Sequence, residues 1–183
     1  MKALIVSALL PALLGGCAAL SESECRVGDW YGIGERDGRN GRPDRIGSYA
    51  EACNKYAVLP DIGDYQSGRE RGLRSYCLPE NGYREGRSGS SYQGVCPAET
   101  ASAFLREYER GRVVYELAQQ VDRLDHEVRR LGRDIDRLED AYRQSKDDKE
   151  KHRLSRERRE LERRRHAVLL DLSLLRSRLV LHH

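Results

Sequence analysis

The chain has 183 residues, of which 34% are charged and 38% hydrophobic, and its formal net charge is +3. So small an excess of positive charge, with no recognisable binding motif, argues against a nucleic-acid-binding protein. Because the chain has only one Phe, one Met and one Trp, it lacks the bulky residues for a large core along its whole length. We therefore expect one small core and one elongated part.

The first sixteen residues have the pattern of a bacterial lipoprotein signal peptide. Lys2 precedes an apolar run up to Leu14, and about a dozen residues suit a signal-peptide core but are too few to span a bilayer. Two glycines and Cys17 follow, which resembles the bacterial lipobox and implies cleavage after Gly16 and lipid modification of Cys17. By the sorting rule of such lipoproteins, Ala18 in place of an aspartate favours the outer membrane, facing the periplasm. An ordinary signal peptide with a coincidental cysteine is the alternative.

The remaining cysteines form an even set, which comprises Cys25, Cys53, Cys77 and Cys96. An even set in an oxidising compartment indicates two disulfides. Sequence leaves three pairings open, and we favour Cys25 with Cys53 and Cys77 with Cys96 because neighbouring cysteines close the shortest loops. A zinc site is the weaker alternative, since the set contains no Cys-x-x-Cys spacing and no histidine lies within it. We predict neither a metal nor a cofactor.

Residues 25–112 are predicted to form a small, mainly helical domain held by these disulfides, which a linker at residues 17–24 joins to the lipid. Trp30, Gly34 and Gly38 are four residues apart, so they share one face of the first helix. Two more helices follow at the spacing of the apolar residues.

The sequence predicts less regular structure after the third helix, which ends near Cys77. Asn81-Gly82 is typical of a turn, and a short turn of helix follows up to Gly86. Residues 88–97 are predicted to be a loop.

The motif Tyr-x-x-Gly-Arg occurs three times, beginning at Tyr65, Tyr83 and Tyr108. A helical Gly is less favourable than Ala by roughly 1 kcal/mol, so its repeated use indicates the close approach of another backbone or of a tyrosine ring. Helix packing with surface arginines is one interpretation. The other is a ligand face that binds an envelope glycan or anionic ligand, such as a peptidoglycan or lipopolysaccharide fragment, by ring stacking and arginine forks. That candidate face comprises Trp30, Asp37, Tyr65, Arg69, Tyr83 and Arg87.

The order of cysteines, glycines and aromatic residues resembles a known family. The matching positions are Cys25, Asp29-Trp30, Gly34, Asp37-Gly38, Cys53, Tyr65-x-x-Gly68-Arg69-x-x-Gly72-Leu73, Tyr76-Cys77, Pro79-x-Asn81-Gly82, Gly86-Arg87-x-Gly89, Tyr92-x-Gly94-Val95-Cys96-Pro97, Phe104 and Tyr108-x-x-Gly111-Arg112. The pattern is similar to an uncharacterised family of Gram-negative lipoproteins, domain of unknown function 2799. The resemblance implies an envelope lipoprotein and supplies no activity, so no catalytic residue is carried over.

Residues 113–183 are predicted to form a coiled-coil arm. From Val114 to Tyr142 the apolar residues recur at alternating steps of three and four, which is a heptad seam. A second seam begins at Leu154 and mirrors the first about Asp148, which favours an antiparallel helical hairpin that turns there. One continuous helix that associates between chains is the alternative, and the absence of Gly and Pro near the turn favours it.

The end of the arm holds more leucine than one seam requires. Between Val168 and Leu181 the additional leucines could pack on the small domain or on a partner. This stretch is too short, and too interrupted by Asp171, Arg176 and Arg178, to span a membrane.

The sequence contains no phosphate-binding loop, no Gly-x-Ser-x-Gly motif and no metal-ligand spacing, so we predict that the protein is not an enzyme. We expect a lipoprotein of the outer membrane with a structural or protein-interaction role. Its expected partners are the membrane, through the lipid on Cys17, and an envelope protein, through the arm. A second copy of the chain is a further candidate partner, and we expect no nucleic acid.

Overall fold

The structure, a computed structural model, describes residues 20–181. Regular structure in this range consists of seven α-helices and no strand. The helices are α1 (Glu22–Val27), α2 (Trp30–Arg39), α3 (Ile46–Asn54), α4 (Ile62–Tyr76), α5 (Pro79–Ser88), α6 (Ala98–Gln144) and α7 (Asp148–Leu181). This confirms the predicted mainly α fold. The predicted signal peptide and the lipidation site at Cys17 lie outside the described residues.

The chain divides into two compact units. The first ends at Tyr76 and also includes Gln93–Val95, and the second comprises Cys77–Tyr92 and the chain from Cys96 onward. The limit that we predicted between domain and arm, at residues 112 and 113, lies inside α6, which runs without interruption. The predicted linker at residues 17–24 likewise contains the beginning of α1.

Helices α2 and α4 of the first unit cross with their backbones in contact. A Cβ atom built on Gly34 would lie 2.0 Å from the carbonyl oxygen of Tyr65, and one built on Gly68 would lie 2.0 Å from that of Tyr31. No larger side chain fits such a gap without moving a backbone. The shared face that we predicted for Gly34 and Gly38 is therefore the contact face of this helix pair.

Helices α5 and α6 of the second unit cross in the same manner. A Cβ atom on Gly86 would lie 2.0 Å from the carbonyl oxygen of Tyr108, and one on Gly111 would lie 2.2 Å from that of Tyr83. The predicted turn at Asn81-Gly82 is wrong, since both residues lie inside α5. Pro79 occupies the first turn of this helix, where a missing N–H is tolerated, and Gly82 faces the backbone of α6.

The two helix pairs follow one plan. In the first pair Gly41 has a positive φ and lies against the ring of Tyr76, and in the second pair Gly89 does the same against Tyr115. The corresponding residues of the first and second pairs are Gly34 and Gly82, Gly38 and Gly86, Gly41 and Gly89, Gly72 and Gly111, and Tyr76 and Tyr115. The chain thus contains the same arrangement of two crossed helices twice.

Both predicted disulfides are present in the pairing that we favoured. Cys25 is bonded to Cys53 with Cα atoms 5.5 Å apart, and Cys77 to Cys96 with Cα atoms 5.6 Å apart. In each helix pair one cysteine precedes the first helix, and its partner precedes the second helix. Each disulfide therefore links the two segments that precede the helices of one pair.

Replacing Cys77 and Cys96 together by serine is expected to lower the free energy of unfolding by about 3 kcal/mol, because the unfolded chain gains the freedom of a loop of about 19 residues. Urea unfolding of the oxidised protein and of the double variant measures this difference. The wild-type protein in a reducing agent is the matched control, and equal stability of all three samples would contradict the prediction.

Helices α6 and α7 form the predicted antiparallel hairpin. The turn occupies residues 145–147, where the Asp147 carboxylate accepts a hydrogen bond of 2.8 Å from the Lys149 N–H and so caps α7. This cap replaces the Gly or Pro that such a turn often contains. The carboxylate of Glu127 binds Arg164 at 2.6 Å, within a few residues of the predicted register.

Candidate functional site

The six residues of the predicted ligand face lie in two different units. In the first unit Trp30 is 5% exposed and Tyr65 is 0% exposed, and both belong to the core that surrounds the disulfide of Cys25 and Cys53. Their rings therefore have packing roles and are not presented to solvent.

Asp37 of α2 is the centre of a polar cluster inside the first unit. Its carboxylate is completely buried, and its Oδ2 accepts hydrogen bonds from the hydroxyls of Tyr49, at 2.6 Å, and Tyr65, at 3.2 Å. Its Oδ1 pairs with Nη1 of Arg42 at 3.2 Å. We call these four residues the Asp37 cluster. Because Tyr49 lies in α3 and Tyr65 in α4, the cluster joins three helices through one carboxylate.

Arginines cover the outer side of the Asp37 cluster. The Arg45 guanidinium lies 5.3 Å from the centre of the Tyr49 ring, and the Arg45 N–H donates to the Tyr65 hydroxyl at 3.1 Å. Arg69, a residue of the predicted face, donates from Nη2 to the carbonyl oxygen of Arg42 at 3.0 Å. The buried negative charge of Asp37 is thus paired with Arg42, whose own side chain is partly exposed.

The tyrosines of the Asp37 cluster hold their protons strongly. Burial, and then the neighbouring Asp37, raises the pKa of Tyr49 far above its usual range, and burial raises the pKa of Tyr65 to about 12. Such hydroxyls serve as hydrogen-bond donors at neutral pH and not as acids. The geometry thus makes Asp37 a structural acceptor with both oxygens occupied.

The first unit is expected to lose stability as pH rises above 10. Tyrosine in the unfolded chain ionises near pH 10, whereas the pKa of Tyr65 in the folded chain is about 12. The contribution of Tyr65 to the free energy of unfolding is therefore fully present below pH 10 and is lost as the pH rises to 12. Urea unfolding measures the free energy of unfolding at pH 8 and at pH 11. Between these two pH values, that free energy should fall less for Tyr65→Phe than for the wild type. Tyr31→Phe, at an exposed ring, is the matched control and should behave as the wild type does.

The other two residues of the predicted face lie in the second unit. Tyr83 is partly buried on α5, and the guanidinium of Arg110 lies 5.1 Å from the centre of its ring. Arg87 is exposed. The ring of Tyr83 is thus already covered by a cation of its own unit.

Sequence reasoning missed an aromatic cluster in the second unit, which comprises Tyr92, Phe104 and Tyr108. The Tyr108 hydroxyl donates to the Ser90 carbonyl oxygen at 2.7 Å, and the Cys96 N–H donates to the Tyr92 hydroxyl at 3.0 Å. These bonds hold the loop between α5 and α6 beside its disulfide. The four-residue step from Phe104 to Tyr108 was the available signal.

The surface of the hairpin presents a groove that both leucines and polar side chains line. Its volume is about 390 Å³, and its lining consists of Gln120, Arg123, Leu124, Asp171, Leu174, Leu175 and Arg178. Leu170 and Leu174 on α7 are 54% and 62% exposed. The excess of leucine noted in the sequence therefore remains uncovered on this helix.

A second pocket, of about 300 Å³, lies between α1 and α2 in the first unit. Its lining comprises Ser23, Glu24, Val27, Asp29, Gly32, Ile33 and Arg36, and none of the six predicted face residues contributes to it. From residue 20 to residue 181, no group of three His, Cys, Asp or Glu side chains could hold a metal ion. In the same range no helix is both long and apolar enough to cross a bilayer.

These features define a class of protein with two pairs of helices and a helical hairpin after them. In each pair the helices cross at glycines, and a disulfide links the segments that precede them. Residues 29–113 match the model of a family described as "Protein of unknown function (DUF2799)", which confirms the resemblance of this stretch to that family. No similar curated protein and no similar solved structure was found. The family match includes both helix pairs and ends inside α6, before most of the hairpin.

Proposed function

We propose that the protein is a lipid-anchored lipoprotein of the outer membrane that faces the periplasm and has a structural or protein-interaction role without enzymatic activity. The observation that carries the interaction role is the uncovered leucine surface of α7, where Leu170 and Leu174 are more than half exposed. Exposed apolar patches on folded proteins are typical of contact surfaces. The polar groups of the Asp37 cluster, by contrast, are occupied by one another.

The anchor is supported by the lipobox-like sequence that ends at Cys17. Attachment at this position would bind the chain to the membrane only a few residues before α1, which begins at Glu22. With several acyl chains on one residue such an anchor is stable, since each buried methylene contributes about 0.8 kcal/mol.

Metabolic labelling with a palmitate analogue tests the anchor. We expect label on the wild-type protein in the outer-membrane fraction, and no label on a Cys17→Ser variant. An unlabelled wild-type protein in the soluble periplasmic fraction would reject the proposal.

Photo-crosslinking in intact cells tests the interaction role. A photoreactive residue at position 174 is expected to capture a protein of the envelope, whereas the same residue at position 160, which is exposed on the same helix, should not. Equal capture from both positions would indicate contact without a specific surface and would contradict the proposal.

The alternative is binding of an envelope glycan or an anionic ligand. Because Trp30 and Tyr65 are buried, this alternative relies on the arginines, of which Arg87 is exposed and Arg69 is partly exposed. If it holds, Arg69→Ala and Arg87→Ala weaken binding of lipopolysaccharide or peptidoglycan fragments in calorimetric titrations. The control is Arg74→Ala, another exposed arginine, and equal effects of all three substitutions would reject this alternative.

A further inference from the structure

One stripe of α7 has a self-complementary order of charge and apolar surface. Asp171, Leu174, Leu175 and Arg178 follow one another at steps of three, one and three residues, so they share one face of the helix. Asp171 and Arg178 are exposed, and neither makes an ion pair with another described residue. The stripe therefore offers an unpaired acid at one end, an unpaired base at the other and two leucines between them.

The same four residues form one wall of the groove on the hairpin. The other wall comes from α6 and comprises Gln120, Arg123 and Leu124. The groove thus has an apolar middle that Leu124, Leu174 and Leu175 supply, and opposite charges of α7 stand at its two ends. A helix that fills it should carry leucines in its middle and the opposite order of charges.

We propose that the occupant is α7 of a second copy of this chain, packed antiparallel in this groove. In that arrangement Asp171 of one copy faces Arg178 of the other, and Leu174 faces Leu175. A two-fold axis makes every such contact occur twice, as in other isologous dimers. Self-association of this kind is independent of the lipid anchor, and it rests on the proposed interaction role, for which it names the partner.

In this register the acidic end of each stripe meets the basic end of the other copy. A parallel arrangement would instead place Asp171 against Asp171 and Arg178 against Arg178, and like charges in contact disfavour it. The charges thus select the antiparallel pair.

The interface is small, because one stripe of about two helical turns buries less surface than a standard protein–protein interface. We expect reversible dimerisation, which attachment of both copies to one membrane would favour by raising their effective concentration. The test therefore measures the dissociation constant in solution, where the anchor has no influence.

Charge exchange in the otherwise complete chain tests the proposal. Sedimentation equilibrium of the chain with Cys17→Ser, which lacks the proposed lipid site, should show a monomer–dimer equilibrium. Asp171→Arg and Arg178→Asp should each raise the dissociation constant at least about tenfold, because each places like charges at both ends of the interface. An equimolar mixture of these two variants should form a one-to-one pair, and the doubly exchanged variant should dimerise as the parent chain does.

Two exposed residues elsewhere on α7 serve as matched controls. Glu160→Arg and Arg163→Asp change the same charges outside the stripe and should leave the dissociation constant unchanged. Circular dichroism verifies that every variant remains helical. A parent chain that stays monomeric at about millimolar concentration, or an exchange that does not restore pairing, would overturn the proposal while leaving the lipid anchor untouched.

Discussion

Replacing Asp37 by alanine is expected to lower the free energy of unfolding of the first unit by about 4 kcal/mol. The substitution removes the common acceptor of the Tyr49 and Tyr65 hydroxyls and the partner of Arg42. A buried donor that loses its acceptor keeps its desolvation penalty, which is about 1 to 3 kcal/mol for each group. Urea unfolding followed by circular dichroism measures the effect.

The control for this substitution is Glu70→Ala on α4. Glu70 is exposed, and surface substitutions of this kind change stability by no more than about 0.5 kcal/mol. Asp37→Asn should fall between the two, since its amide keeps one acceptor oxygen and adds donors. Equal free energies of unfolding for Asp37→Ala and Glu70→Ala would show that the Asp37 carboxylate does not hold the three helices together.

Replacing Gly68 by valine is expected to lower the free energy of unfolding by about 4 kcal/mol or more, an effect at the upper end for overpacking. The Cβ atom alone would lie 2.0 Å from the carbonyl oxygen of Tyr31 and 3.0 Å from the backbone nitrogen of Glu35. Both obstacles belong to a helix backbone, so no rotamer change relieves them. Helices α2 and α4 would have to separate and expose the core.

Gly63→Val, on the same helix, is the matched control. A Cβ atom on Gly63 would meet only a side-chain oxygen of Asp61 at 3.4 Å, which is an ordinary contact. Valine is slightly more favourable than glycine in a helix, so the change in stability should be within about 0.5 kcal/mol of zero. Similar losses at both positions would show that helix propensity, and not the crossing, determines the effect of Gly68→Val.

The helix pairs could be predicted from the sequence only in part. The spacing of Gly34 and Gly38 indicates a contact face, because periodicity is a local property of the chain. The sequence motif Tyr-x-x-Gly-Arg suggested that Gly68 and Gly111 are equivalent, whereas in the structure Gly111 corresponds to Gly72. Which glycines of the two pairs correspond is determined by packing against the other helix of each pair. That helix is distant in sequence, so a local motif does not reveal the correspondence.

The turn predicted at Asn81-Gly82 failed for a related reason. The same dipeptide suits a turn or a helix that touches another backbone, and only the position of Pro79 two residues earlier distinguishes the two. The hairpin turn was easier to locate because the mirror order of the two seams extends over many residues. Its chemistry was not foreseen, since the cap that Asp147 provides for α7 makes the turn without the Gly or Pro whose absence favoured a continuous helix.

The candidate site was the least predictable part. Asp37 was chosen from the sequence as a ligand residue, but its burial depends on Arg42, Tyr49 and Tyr65, which reach it from three later segments. Nothing in the local sequence of α2 indicates that these side chains converge there. The exposed leucines of α7, by contrast, were visible as an excess over the heptad pattern.

The pairing of cysteines that follow one another along the chain affects how the protein can be oxidised during synthesis. A chain that emerges from its N-terminus presents Cys25 and Cys53 before Cys77, so the first native bond can close before a competing thiol arrives. Cys77 and Cys96 then remain as the last pair, provided that Cys17 is held as a thioether in the proposed anchor. We therefore expect the native bonds to form in the order of synthesis, each by transfer of two electrons and two protons to a disulfide oxidant of the compartment, without later isomerisation of wrongly paired bonds.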